Sequence, residues 1–328
     1  MILESAGQWA RKVGPWVVAA AILGLLFWKI PFSDAWDAAQ NARLGIFLPG
    51  MLAVVTFWFL VESRAFAYLF SRFNAPLSWT EARSLRGTSY LLTPINWNLG
   101  TAAIILHLRR SKNVDAVASA STMLFYALVD GTVLAGLALV GVSLLAASPE
   151  VAALRRVVTG FAVFQLAFLA LFMAPAPAWR WLARVRGLAI FRTHGLATSR
   201  DFATLALLRG LYFSGFVGIF WLGGRAFGVA VPLEMATAAM PAILLAGALP
   251  ITPGGLGTQA AAMLFFFSPY GAQAAILAFG LAFPVALALG RCMVGLLYLH
   301  NLAEIRRAPA PPATVPEAAS PELREREM

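Results

Sequence analysis

Long apolar segments constrain this chain more than any other feature. They lie at about residues 14–30, 45–70, 116–147, 157–174, 203–224 and 273–300, and several reach the roughly 20 residues that cross a bilayer as a helix. Charged residues make up only 12% of the 328 residues, about half the share in a soluble domain. The sequence therefore predicts an all-α, polytopic integral membrane protein that forms one helical bundle.

Two further apolar segments, residues 88–106 and 236–267, contain residues that interrupt helices. The second carries two prolines and three glycines between Pro250 and Gly257, and the first contains "TPINWNLGTAA". Proline and glycine are poor residues for a continuous helix. Non-helical backbone at membrane depth is stable only where protein buries it or water reaches it. We therefore expect both breaks to lie inside the bundle.

Basic residues assign sides to these segments, because cytoplasmic loops are enriched in Lys and Arg. Arginines flank 88–106 on both sides, within 71–86 and 109–112, and five arginines lie within 175–200. Segment 225–272 is nearly uncharged. This pattern predicts about six spanning helices and two re-entrant hairpins, with both termini cytoplasmic. Arg155 and Arg156 fit it less well, and eight spans are the alternative.

The predicted organisation has six parts. They are a cytoplasmic N-terminus (1–12), a first transmembrane helix with an outer loop (13–43), a first repeat half with re-entrant segment 88–106 (44–147), a connecting helix and basic interfacial segment (148–200), a second repeat half with re-entrant segment 236–267 (201–303), and a cytoplasmic tail (304–328). The tail is rich in Pro, Ala and Glu, a composition typical of disorder.

The two halves resemble each other in sequence. "FWFLVESRAF" (57–66) matches "FWLGGRAF" (220–227), and two Pro-Leu or Pro-Ile pairs and a Leu-Gly-Thr follow in the same order in each half. The predicted sides place the two copies in opposite orientations. The sequence thus predicts an inverted-topology repeat, in which paired interrupted helices mark the substrate site of many transporters.

The broken segments provide the first group of candidate site residues. A half-helix starting near Thr258 would present free N–H groups to an anion, and glycines allow close approach of a head group. The candidates in the substrate pathway are Asn96, Asn98, Thr101, Pro253, Gly254, Gly255, Gly257, Thr258 and Gln259. The alternative is that the glycines only permit close helix packing.

Intramembrane charges provide the second group of candidates, because such residues are costly in lipid and commonly functional. Asp130 and Arg291 lie well inside apolar runs, and Arg209 lies nearer a segment end. Asp130 and Arg291 either pair with each other, or Arg291 holds an anionic head group. For Arg209, as for Arg64 and Arg225, we expect the side chain to extend towards the interface.

Other functional classes lack their sequence signatures. The net charge of +10 is distributed over segment ends, which indicates contact with anionic lipid and argues against nucleic-acid binding. Cys292 is the only cysteine and the three histidines are far apart, so no metal motif is visible. No catalytic constellation and no phosphate-binding loop are present. We expect no enzyme activity and no cofactor.

"PITPGGLG", together with the Pro/Asn-broken first segment and the basic loops, resembles the transmembrane region of lysylphosphatidylglycerol synthases. The resemblance covers most of residues 10–303, and Pro253 to Gly257 is its most specific part. The resemblance implies an inner-membrane protein that moves lipids between leaflets. The family also has relatives associated with hopanoid synthesis and with glycan-lipid pathways. We expect a free-standing member without the synthase domain, because no loop or tail in these 328 residues is long enough to form that large domain. Two glutamates common in the family are replaced by Thr101 and Ala260, which favours a neutral or weakly polar lipid.

The sequence therefore predicts a flippase-like lipid translocase of the bacterial inner membrane, whose groove lies between two re-entrant hairpins. The expected partners are membrane lipids and lipid-biosynthesis enzymes; the oligomeric state is open. The alternatives are a secondary transporter of a small solute or ion, and a non-catalytic membrane partner in hopanoid or glycan-lipid synthesis.

Overall fold

In a computed structural model, the described part of the chain is helical and contains no strand. The structure describes residues 2–94, 97–146, 149–173, 180–248, 252 and 257–300. The helices are α1 (Ile2–Lys29), α2 (Phe32–Gln40), α3 (Leu44–Phe73), α4 (Trp79–Leu92), α5 (Trp97–Lys112), α6 (Ala116–Leu144), α7 (Pro149–Met173), α8 (Arg180–Arg186), α9 (Arg192–Leu196), α10 (Ser199–Ala226), α11 (Leu233–Ala248), α12 (Thr258–Phe267) and α13 (Gln273–Leu296).

Five helices are long and apolar enough to cross a membrane: α3, α6, residues 154–171 of α7, α10 and α13. The pair α1 and α2 gives a sixth candidate with an 86° bend. Pro31 lies at this bend, where its ring and its missing N–H end the preceding helix. The prediction of an all-α polytopic bundle with about six spanning helices is confirmed. Residues 32–40, expected in an outer loop, form a short helix instead.

The centre of the bundle is an antiparallel pair, α3 and α10. At one end, Arg43 N donates to Ala226 O at 2.9 Å. At the other end, Tyr68 Oη donates to Asp201 Oδ1 at 2.7 Å. Between them, Trp58 Nε1 donates to the Tyr212 carbonyl at 2.8 Å. The two helices thus run side by side along their whole length and in opposite directions.

The first broken segment lies in a helical hairpin, α4 followed by α5. Ser78 caps α4 with a capping box to Glu81, which fixes where the helix begins. Lys112, the last residue of α5, forms an ion pair with Glu81 in the first turn of α4. At the tip, a Cβ on Gly100 would lie 2.5 Å from Thr93 Oγ1. The segment therefore enters and leaves the bundle at the same end.

The second broken segment lies in another hairpin, α11 followed by α12. Ala230 N, just before α11, donates to Tyr270 O, just after α12, at 2.9 Å. Gly257 precedes α12 with φ +89°, a left-handed conformation that favours glycine. The open ends of this hairpin also lie together.

The two hairpins open at opposite ends of the bundle. The first opens beside the last turn of α3, which Asn74 to Ser78 joins to α4, and the second opens beside the last turn of α10. Each hairpin is preceded and followed by a long helix, so one order of elements occurs twice, with antiparallel first helices. This arrangement is what an inverted repeat requires. The repeat relationship, the domain boundaries and the sides of the membrane stay predictions.

Candidate functional site

Five charged side chains converge inside the bundle, and each comes from a different helix. They are Glu62 of α3, Arg86 of α4, Asp130 of α6, Arg209 of α10 and Arg291 of α13. Glu62 is fully buried, and the side chains of Arg209 and Asp130 are 2% and 21% exposed. We call these five residues the charge network.

The first pair of the network joins α3 to the first hairpin. Arg86 Nη2 donates to Glu62 Oε1 at 2.7 Å and Arg86 Nε donates to Oε2 at 3.0 Å. Tyr90, one helical turn beyond Arg86, donates its hydroxyl to Glu62 Oε2 at 2.7 Å. The two-pronged geometry is the strongest form of an Arg–carboxylate contact. It fixes the position of α4 relative to α3.

The second pair joins α10 to α6. Arg209 Nη2 donates to Asp130 Oδ2 at 3.0 Å, and Arg209 Nε donates to Oδ1. The Arg209 guanidinium lies over the ring of Tyr212, 3.8 Å from its centroid, because positions i and i+3 share one face of a helix. Arg209 Nη1 lies 3.8 Å from Glu62 Oε1. This contact connects the two pairs.

The network lies near the middle of the bundle. Glu62 and Arg209 are each three turns from the nearer ends of α3 and α10, about 15 Å at 1.5 Å per residue. A bilayer core is about 30 Å thick. The network is therefore placed where charge is most costly to bury.

Arg291 completes the network without an ion pair. Its side chain is 8% exposed, its Nε has no hydrogen-bond partner, and its guanidinium lies 5.5 Å from the Tyr90 ring centroid. Among the residues that the structure describes, no carboxylate lies within 4.0 Å of it. Three guanidinium groups therefore face two carboxylates.

These positions correct two expectations from the sequence. Arg209 does not extend towards an interface; it is buried and holds Asp130. Asp130 does not pair with Arg291, because Arg209 occupies both of its oxygens. Arg64 and Arg225 are exposed, and Arg225 lies over the Trp221 ring.

The candidates at the broken segments are described only in part. Thr101 is half-buried in α5, and Gln259 is buried in α12 with its Oε1 3.2 Å from where a Cβ on Gly247 would lie. Thr258 Oγ1 lies 3.2 Å from Thr252 Oγ1. Asn96, Pro253, Gly254, Gly255 and the side chain of Asn98 lie outside the described residues.

Sequence reasoning missed Glu62, Arg86 and Tyr90 as site residues. Glu62 and Arg64 are two residues apart and lie about 200° apart around α3, so that Glu62 is buried while Arg64 is exposed. The available signal was a carboxylate within the apolar run "FWFLVESRAF". Such an acid needs a partner in the membrane, and Arg86 was assigned to a basic loop.

A comparison with protein families matches residues 13–297 to the lysylphosphatidylglycerol synthase TM region. The match covers most of α1 and all of α2 to α13, well over half of the chain. The chain belongs to this family. It is therefore a multi-pass membrane protein. A comparison with curated proteins finds no match.

The packing accounts for one of the two positions, Ala260 and Thr101, at which the resemblance implies a glutamate in relatives. Ala260 is fully buried, and a Cβ on Gly280 of α13 would lie 2.9 Å from its Cα. The contact between α12 and α13 thus leaves no room for a glutamate. At Thr101, which is half-buried, the described structure gives no such reason.

Proposed function

We propose that this protein is a lipid translocase of the bacterial inner membrane, which moves a lipid between leaflets through a groove between its two hairpins. The single observation that carries the proposal is the charge network, which brings α3, α4, α6, α10 and α13 together near the middle of the bundle. Membership of a family named for the transmembrane region of a lipid synthase supports it. We propose no catalytic role for the chain.

The free-energy cost of burying charged side chains is the reason to assign the network a function. Well-packed apolar residues often stabilise a fold as well as a buried ion pair does, so a buried pair is weak evidence for a purely structural role. A lipid head group must pass a low-dielectric region, and exchangeable guanidinium and carboxylate partners lower the cost of its passage. The network supplies both signs of charge at that depth.

The hairpins can couple to the network through packing. The first hairpin carries Arg86 and Tyr90 itself. The second packs on α6, where a Cβ on Gly141 would lie 2.3 Å from Ala238 N of α11. Because α6 also carries Asp130, a displacement of either hairpin would change an ion pair of the network.

The inverted repeat belongs to the same proposal. With both termini cytoplasmic, one hairpin would enter from each side, and a rocking of the two halves would expose the network to each leaflet in turn. The acyl chains would stay in the bilayer while the head group passes. Enzymes of lipid biosynthesis are the proposed protein partners.

Reconstitution tests the proposal. Purified protein is placed in liposomes containing fluorescent phospholipids, and a membrane-impermeant reductant bleaches the outer leaflet. We expect proteoliposomes to lose inner-leaflet fluorescence faster than protein-free liposomes. Equal protection with and without protein, across anionic, zwitterionic and neutral lipids, contradicts the proposal.

A second candidate, a secondary transporter of a small solute or ion, is favoured by the same Asp130–Arg209 pair, since buried acid–base pairs also line ion pathways. It predicts gradient-driven solute uptake into proteoliposomes without lipid exchange. The two assays on one preparation separate the candidates.

A further inference from the structure

Arg291 lies in the last third of α13, beside α3 and α4. It is five residues before the end of α13, about 8 Å along the helix axis. Small residues bring α13 close to its neighbours there: a Cβ on Gly290 would lie 3.1 Å from Val55, and one on Gly295 would lie 2.8 Å from Leu91. The position is therefore a tight seam between α13, α3 and α4.

The charge balance of the network is incomplete at this position. Arg86 and Arg209 use both oxygens of Glu62 and Asp130, and Arg291 adds a third positive charge, for a sum of +1. An uncompensated buried charge is costly. Its Nε is buried and has no hydrogen-bond partner, so the side chain retains an unused donor.

We propose that Arg291 binds the phosphodiester of a lipid head group with a net charge of −1. One such group restores neutrality, and a planar guanidinium matches a phosphate with two parallel hydrogen bonds. The Tyr90 ring, 5.5 Å away, forms one wall of the position. This inference rests on the proposed function and narrows its substrate to anionic phospholipids, against the neutral lipid expected from Thr101 and Ala260.

The burial of Arg291 argues against a purely interfacial role. An arginine that extends to the interface keeps its guanidinium in water. Arg64 and Arg225 are exposed, whereas Arg291 is 8% exposed and its Nε is shielded. The surrounding side chains hold the charge inside the seam. A ligand of opposite charge would offset the electrostatic cost of burying it there.

Lipid binding to the purified full chain in detergent tests the inference. The probe is a fluorescent phosphatidylglycerol, displaced by unlabelled phosphatidylglycerol, phosphatidylcholine or inorganic phosphate. The variants are Arg291→Gln, which removes the charge, and Arg291→Lys, which keeps it. Arg64→Gln is the matched control, because it removes one exposed positive charge. Thermal unfolding of each variant establishes that it is folded.

We expect Arg291→Gln to weaken phosphatidylglycerol binding at least about tenfold, the usual scale for a lost charged hydrogen bond. Arg291→Lys should bind more weakly than the wild type but better than Arg291→Gln, since it keeps the charge and loses the two-pronged geometry, and Arg64→Gln should bind like the wild type. If Arg291→Gln does not fold, the folded Arg291→Lys variant provides the test. A loss of phosphatidylglycerol affinity in this variant then supports the inference, because lysine cannot form the two-pronged contact.

Three results overturn the inference. They are wild-type affinity in folded Arg291→Gln, equal competition by phosphatidylcholine, and displacement by millimolar inorganic phosphate, which would assign the site to the free anion. The outcome is separable from the proposed function. If the rate of lipid exchange depends neither on head-group charge nor on Arg291, only the proposed binding site is refuted. If phosphatidylglycerol binds but no lipid is exchanged, only the translocase function is refuted.

Discussion

Arg209 and Asp130 are 79 residues apart in the sequence, and their side chains form a two-pronged ion pair between α10 and α6. Arg209 is 2% exposed and also lies 3.8 Å from Glu62. One guanidinium thus connects the two acids of the charge network.

Asp130→Asn keeps the size of the side chain and removes its charge. Arg209 is then left with a buried charge that only Glu62 opposes at 3.8 Å. Breaking one partner of a buried pair costs about 3 kcal/mol or more, so we expect a clear drop in thermal unfolding temperature. Differential scanning fluorimetry of the purified protein measures it.

The double variant Asp130→Asn with Arg209→Gln supplies the control for this pair. Because both charges are absent, its loss of stability should be smaller than the sum of the single losses. Arg225→Gln removes an exposed charge that lies over Trp221 and should cost less than about 1 kcal/mol. Additive single effects would show that the pair is not coupled.

Close packing of the second hairpin on α6 predicts an asymmetry between two glycines of α6. A Cβ on Gly141 would lie 2.3 Å from Ala238 N, whereas one on Gly136 meets no atom within 4 Å. We expect Gly141→Ala to destabilise the protein by about 1–3 kcal/mol through overpacking. Gly136→Ala should be neutral or stabilising, since alanine favours helix. Unfolding temperatures in the opposite order would contradict the observed packing.

Ala260→Glu should not be tolerated. The residue is fully buried, and the backbone of α13 at Gly280 lies against it. A carboxylate there would be both overpacked and unpaired, at a cost of several kcal/mol. We expect Ala260→Glu to reduce the yield of folded protein in size-exclusion chromatography. Gln273→Glu, exposed at the start of α13, is the control, and equal yields would argue against this packing.

The burial of His194 predicts that the stability of the protein depends on pH. It is 3% exposed between the rings of Phe125 and Phe191, and burial lowers its pKa to about 4. An unfolded histidine has a pKa near 6.5. Between these values the unfolded chain binds more protons, so stability is lost as the pH falls from about 6.5 to 4, by up to about 1.4 kcal/mol per pH unit.

His194→Phe tests this dependence, because it keeps an aromatic ring and removes the titration. Its unfolding temperature should fall less between pH 7 and pH 5 than that of the wild type. His300→Phe, at an exposed position, should keep the wild-type slope. Identical slopes for the wild type and His194→Phe would show that His194 does not titrate in this range.

Much of the fold follows from local sequence signals. Apolar length predicted the spanning helices, and basic flanks with Pro and Gly breaks predicted that 88–106 and 236–267 differ from them. The bend at Pro31 was not predicted, because "PFSDAWDAAQ" is short and carries two acids. In the structure, α2 packs on α13. Such tertiary contacts leave no periodic signal in the sequence.

The site was harder to predict, because its partners are distant in the chain. Asp130, Arg209 and Arg291 were selected as charges in apolar runs, but the partner of each depends on how α3, α4, α6, α10 and α13 assemble. Arg86 has the sequence context of a basic loop, and only the hairpin brings it to Glu62. Charge in an apolar run identifies a candidate; the pairing comes from the fold.

The most direct measurement is lipid exchange by the wild type and Glu62→Gln, reconstituted at equal amounts of folded protein and assayed by reductant bleaching of a fluorescent phospholipid. The Glu62 carboxylate accepts hydrogen bonds from Arg86 and Tyr90 and lies beside Arg209. Removing its charge should therefore slow lipid exchange at least about tenfold. Glu81→Gln, which removes a half-exposed acid paired with Lys112, should leave exchange unchanged. Equal rates for wild-type and protein-free liposomes, or for the wild type and folded Glu62→Gln, would contradict the account.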